Sequence, residues 1–246
     1  MYKAQHMDPW WDWYDAEPGP RRGLALFLGQ YAYERQGRSR SYPHAAYFAV
    51  TQGSQSLDAP EIWLAFKREL AGGKLNEMLN PLNHARPGCK CARCTFADTS
   101  GQLLDVVEVT RSFLVAGQVW RAYDHVKQVR GVGPKVASFF LRDLAVKFQI
   151  TPPRNRELLQ PIDVWVRRVA EYLNGGTSLN DQETASWVCQ KFAQPEVANQ
   201  GLWYFSSQIA ASEVKLCRAL DNEEYANEIT ERYVKQLQSA ANAWLG

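Results

Sequence analysis

Apolar and polar positions recur at helical spacing along most of the chain, and the two-residue alternation of strands is scarce. Residues 41–50 offer Ser41 as an N-cap and Pro43 in the first turn. Residues 58–72 offer Asp58 as a cap, Pro60 in the first turn, and Ile62, Leu64, Phe66 and Leu70 as apolar positions, with Gly72 as the stop. Residues 73–100 lose the period and read as a long loop. Residues 101–117 are apolar at Leu103, Leu104, Val107 and Phe113, which suits a helix, while their valine density leaves strand open. Helices at 118–129 and 134–148 flank a glycine-rich corner. Residues 151–161 read as a loop because of their prolines. Helices follow at 163–175, 181–192, 195–210 and 222–245. In the last, Tyr225, Ile229, Tyr233, Leu237 and Ala241 are four residues apart and form one face.

This pattern predicts an all-α helical bundle in a single domain over residues 1–246. Residues 1–100 supply N-terminal helices and a cysteine loop, and residues 101–246 supply the core. Two lobes around a cleft are compatible with it. At 46% hydrophobic and 22% charged, the composition is that of an ordinary globular chain. A net charge of +2 does not announce a nucleic-acid binder, although a local basic patch can exist within a near-neutral total. No apolar run reaches bilayer length and no basic-then-apolar leader is visible, so no membrane partner is expected. The five cysteines are odd in number and three of them crowd into "CKCARC", which argues against a disulfide framework. A reducing compartment is expected, cytoplasmic (nucleoid-associated) or nuclear.

The corner is "GVGPK", residues 131–135. Gly131 and Gly133 permit a very short connection between two helices. Pro134 suits the first helical turn, where its missing N–H costs nothing. Glycines beside a helix start let an anion approach the backbone, and the helix dipole favours negative charge there. Arg130 and Lys127 add positive charge. These are the means of holding a nucleic-acid backbone without reading its sequence. A glycine-rich turn with no ligand is the competing reading. Asp163 stands 28 residues after Lys135, before an amphipathic helix, and reads by itself as an N-cap.

Together, "GVGPKVA" and "PIDVWVRR" resemble the helix-hairpin-helix DNA glycosylases, the superfamily of endonuclease III and the 8-oxoguanine DNA glycosylases. The matching positions are Gly131, Gly133, Lys135 and Asp163, and the likeness covers about residues 117–175. The loop "QITPPRNRELLQ" makes the chain more similar to the archaeal 8-oxoguanine branch than to bacterial endonuclease III. The resemblance implies a DNA repair glycosylase that flips a damaged or modified base from double-stranded DNA and excises it. Lys135 would attack the sugar and form a Schiff base with AP lyase activity, and Asp163 would stabilise the cationic sugar. It also implies a monomer that needs no cofactor for catalysis. A nucleophilic amine must be neutral, so burial beside Val136, Phe139 or Phe140 is expected for Lys135. Two readings stay open beside this one: a non-catalytic helix-hairpin-helix DNA-binding protein, and a monofunctional glycosylase using Asp163 and water.

His84, Cys89, Cys91 and Cys94 can complete a tetrahedral structural zinc site. The same residues also read as reduced thiols on a surface loop. Their spacing is not that of the endonuclease III iron–sulfur cluster, which is not expected here. Trp10, Trp11, Trp13 and Tyr14 read as a staple of the first segment onto the core, or as a surface for stacking bases. Arg35, Arg38 and Arg40, and Arg154, Arg156, Arg167 and Arg168, are candidate phosphate contacts.

Overall fold

The computed structural model describes residues 1–33, 41–70, 77–84 and 88–245, with side chains described through residue 240. Gly72, Arg35, Arg38, Arg40 and the side chain of Ala241 lie outside the described residues. Within them the chain is all-α, and β pairing is limited to the isolated antiparallel bridge Ala97–Leu103. No described helix is long and apolar enough to cross a membrane. The chain forms two compact units, Met1–Pro161 and Ile162–Gly246. Sequence pattern alone suggests a subdivision near residue 100, whereas the compact units change over after Pro161.

In the first unit, α1 (Asp8–Ala16) leads to α2 (Arg21–Leu26), which runs on through a π-helical segment, Phe27–Ala32. Every residue from Gly23 to Tyr33 is buried. A segment buried on all sides carries no polar face, which is why its periodicity predicts no helix. Next come α3 (Ser41–Thr51), α4 (Ala59–Glu69), the short α5 (Ala92–Thr95), α6 (Val106–Val115), α7 (Val119–Lys127) and α8 (Pro134–Lys147). The loop expected over 73–100 therefore contains α5 and one 3-10 turn, Glu77–Leu79. Residues 106–115 are helical, because the Asp105 carboxylate accepts from the N–H groups of Val107 and Glu108 and starts a helix there. On α4, Ile62 and Phe66 are buried as expected but Leu64 is 54% exposed. It sits across the helix from that pair.

α8 is the central helix of this unit, with Val136 through Ala145 all buried. It packs on the α2 segment through ring pairs Phe27–Phe140 at 5.1 Å and Tyr31–Phe139 at 5.0 Å. Residues before position 100 thus share one core with the glycine-corner helices. Arg142 and Asp143 are buried within that core and form an ion pair at 2.8 Å. The hydroxyls of Tyr2 and Tyr31 donate to the Asp143 carboxylate at 3.1 and 3.3 Å. Buried charges need such partners, because desolvation penalises each of them alone.

The second unit contains α9 (Val164–Leu173), α10 (Asp181–Lys191), α11 (Pro195–Tyr204, continued by the π-helical Phe205–Ala210), α12 (Glu213–Asp221) and α13 (Glu223–Leu245). Val166, Ala170, Ala185, Trp187 and Val188 form its core with Ile162. Asn180 and Glu183 cap α10 reciprocally, which fixes where that helix begins. On α13, Ile229 is buried, while Tyr225, Tyr233 and Leu237 are half-buried along the expected face.

Candidate functional site: a glycine corner beside a histidine–cysteine cluster

The corner between α7 and α8 is built from a few backbone choices. α7 ends at Lys127, and the Val129 and Val132 side chains are buried, pinning the turn to the core. Gly131 adopts a φ of +74°, the left-handed region that a side chain disfavours. Gly133 differs: its φ is −93°, and it is the N-cap of α8 with Pro134 following. A Cβ built on Gly133 meets nothing within 4 Å. Nothing inside the protein therefore demands glycine at 133, and its bare backbone leaves open space at the positive end of α8. The N-cap has no side chain to serve the first-turn amides, an arrangement that suits an external anion.

Lys135 and Lys127 are exposed, and the Lys127 ammonium lies 4.8 Å from the centre of the Tyr123 ring. Arg130 is half-buried. Burial of Lys135 by Val136, Phe139 and Phe140 is not what the fold provides: those three are buried while Lys135 is exposed. The helix turns their side chains toward the core and leaves the lysine outside.

Asp163 belongs to the second unit and caps α9, accepting from Trp165 N–H at 2.9 Å and Val166 N–H at 3.0 Å through one oxygen, Oδ1. Arg167 is paired with Asp181, and Arg168 with Glu213 at 3.2 Å. Their positive charge is largely answered within the protein, which weakens the basic face expected there. Arg154 is exposed and Arg156 half-buried.

The four predicted metal ligands converge. The ligand atoms of His84, Cys89, Cys91 and Cys94 all lie within 4.8 Å of one another. His84 Nδ1 is 3.2, 4.0 and 3.5 Å from the sulfurs of Cys89, Cys91 and Cys94. A tetrahedral ion with Zn–S near 2.3 Å and Zn–N near 2.05 Å requires N···S edges of about 3.6 Å, and the three distances bracket it. The Cys91 N–H donates to the Cys89 sulfur across 3.4 Å. The Cys94 thiol is pulled down to about 5, chiefly by its hydrogen bond with Cys91, while that bond and burial push Cys91 well up. One sulfur in the pair is readily charged and the second resists, because negative charge accumulates in a half-buried site. A cation placed among the four atoms removes that repulsion. The cluster can therefore hold a metal ion.

This loop is tied to the corner. Lys90, between two of the cysteines, accepts from the backbone N–H of Arg130 at 2.7 Å. His125 Nε2, on α7, lies 3.0 Å from Thr95 O, and its ring is 5.0 Å from that of Phe96. The Ala92 N–H donates to Pro81 O at 2.7 Å, joining the cysteine side to the segment that carries His84. Lys90 and His125 carry no motif of their own. Their part lies in backbone and ring contacts that residue spacing does not encode.

The N-terminal aromatics divide by role. Trp11 and Tyr14 are fully buried, as a staple requires. Trp10 and Trp13 instead line an open pocket of about 420 Å³ with Pro9, Pro43, His44 and Tyr47. The Trp13 and Tyr47 rings meet edge to face at 5.1 Å.

No family model and no solved structure matches the chain. It is similar to an uncharacterized protein, MJECL21, of Methanocaldococcus jannaschii, at 29% identity over 108 residues. That stretch is 40% of this chain and 25% of the archaeal protein, so the match spans about a quarter of that relative's length.

Proposed function

We propose that the protein is a helix-hairpin-helix DNA glycosylase that extrudes a damaged or modified base and cleaves its glycosidic bond, with lyase activity through Lys135. The observation that carries the reading is the corner itself. Gly131 takes the left-handed turn, and Gly133 presents bare backbone at the start of α8 where internal packing does not require a glycine. Phosphates flanking an extruded nucleotide suit that position, with Lys127 and Arg130 adding charge. Lys135, two residues further on in the first turn of α8, is exposed. The desolvation that a nucleophilic amine requires then comes from bound DNA closing over it. The amine attacks the anomeric carbon as the base departs, giving a Schiff base from which β-elimination cleaves the strand. The Asp163 carboxylate caps α9 through Oδ1; stabilising the cationic sugar is the role that the family resemblance implies for it.

The test is a panel of lesion-bearing duplexes incubated with the wild type, Lys135→Gln and Asp163→Asn. Base release by the wild type, borohydride trapping of a covalent adduct, and loss of the adduct in Lys135→Gln are expected. Wild-type binding to duplex without base release from any lesion overturns the enzyme reading in favour of a DNA-binding module. Base release that persists in Lys135→Gln moves the reading to a monofunctional glycosylase.

The metal at the histidine–cysteine cluster is, on this reading, a structural Zn²⁺. Three thiolates and one imidazole are a soft, tetrahedral donor set that leaves no position open for water. Structural zinc in small peptide sites contributes about 10–16 kcal/mol of apparent binding free energy, enough to order an otherwise plug-free loop. Elemental analysis of protein purified under reducing conditions is expected to give one zinc per chain, and a stoichiometry near zero after incubation with Zn²⁺ overturns it.

A further inference from the structure

We infer that the ion held by His84, Cys89, Cys91 and Cys94 sets the position of the Lys90 carbonyl that holds the upstream end of the glycine corner, so that the corner keeps its full protection only in the metal-loaded protein. The inference rests on the zinc reading above, and only its DNA consequence rests on the glycosylase reading.

The argument begins with what holds each end of the cysteine loop. Its downstream end is anchored without any metal. Phe96 is 1% exposed and packs on Phe27 at 5.7 Å and on His125 at 5.0 Å. Arg93, also buried, donates to Leu57 O at 2.6 Å and Gly101 O at 2.9 Å. Among the described residues the upstream end is less buried: Gly88 and Lys90 are exposed, and Cys89 is half-buried. Between those residues and the core stand the ligand side chains, with Cys91 the one fully buried member. Yet it is this end that reaches the corner, because Lys90 O accepts the Arg130 N–H at 2.7 Å. Arg130 directly precedes Gly131, whose left-handed φ bends the chain toward Gly133 and α8.

A metal bound by Cys89 and Cys91 fixes the peptide between them, and so fixes the Lys90 carbonyl in space. Without the ion, the 88–91 strip loses its cross-link to His84. The Arg130 amide then loses a fixed acceptor, and the turn that follows loses its register with the loop. The His125–Thr95 contact, placed beside Phe96, keeps its apolar support and serves as an internal reference.

Amide hydrogen exchange on the full chain tests this, comparing protein loaded with Zn²⁺ against protein stripped by a chelator. The Arg130–Val132 amides are expected to exchange about ten-fold or more faster in the stripped state, with restoration by Zn²⁺ and not by Mg²⁺. Exchange in α9 and α10 is expected to stay unchanged. Equal protection of residues 130–132 in both states overturns the inference. Should stripping unfold the whole chain, Cys89→Ser assayed with excess Zn²⁺ gives the comparison from folded protein. Faster exchange at 130–132 than in the wild type then supports the coupling, and unchanged exchange overturns it. Binding to a duplex carrying an abasic-site analogue, measured on the same samples, separates the two readings. An ordered, metal-dependent corner that does not bind the duplex sinks the DNA reading alone. Equal duplex affinity with equal protection in both metal states sinks the coupling alone.

Discussion

The backbone N–H of Arg130 donates to the carbonyl oxygen of Lys90 across 2.7 Å, joining the turn before α8 to the strip between Cys89 and Cys91. Forty residues of sequence separate these partners, and neither side chain takes part. The bond ties the cysteine loop to the glycine corner through the main chain.

The two glycines of the corner are expected to fail differently. Gly131→Ala forces a side chain into a φ of +74° and should cost about 1–2 kcal/mol of stability. Gly133→Ala has an ordinary φ and open space for its Cβ, so stability should change by less than about 0.5 kcal/mol. Duplex affinity should nevertheless fall in Gly133→Ala, because the methyl group stands where a phosphate approaches. Urea denaturation beside a duplex titration checks both; full duplex affinity in Gly133→Ala counts against a backbone-gripping corner.

Asp163 has a capping role that can be separated from its chemical one. Asparagine is also a good N-cap, so Asp163→Asn should leave stability within a few tenths of a kcal/mol, whereas Asp163→Ala should lose about 1 kcal/mol. If the carboxylate faces a developing sugar cation, base release should drop in both variants alike. Activity that follows the stability order, with asparagine retained and alanine impaired, assigns the residue to capping alone.

The buried Arg142–Asp143 pair should be costly to break from one side. Asp143→Ala removes the carboxylate that pairs with a guanidinium 2% exposed, and takes one acceptor from each of the Tyr2 and Tyr31 hydroxyls. The expected loss is about 3–5 kcal/mol, read from denaturant unfolding. A loss below 1 kcal/mol would mean that the pair is not desolvated in solution.

Zinc loading should raise thermal stability. A ligand that binds only the folded state contributes about 4 kcal/mol at a thousand-fold excess over its dissociation constant. Melting scans with and without a chelator should therefore differ by several degrees in the wild type. The same scans of Cys91→Ser should show little difference, since that variant lacks the buried ligand.

Much of the helix content was legible because amphipathic helices write their burial into a period. α4 and α13 follow the expected faces, with Leu64 the exception on α4. The ligand set was legible as well, since four soft donors within eleven positions limit what a loop can do with them. What could not be read was the α2 segment from Gly23 to Tyr33. It is buried on every side, so its helix has no polar face to betray it, and it draws the first hundred residues into the core of α8. Exposure at Lys135 was equally hidden, because the rotation of α8 is set by what packs against Phe139 and Phe140 rather than by their order in the chain. The amino-acid sequence by itself determined an all-α chain, a glycine corner and a cluster of metal-binding donors, all of them local properties of composition and spacing. Only the tertiary structure decided that a main-chain hydrogen bond joins the corner to the cysteine loop, because backbone amides and carbonyls are alike in every residue and their pairing depends on where the core brings them.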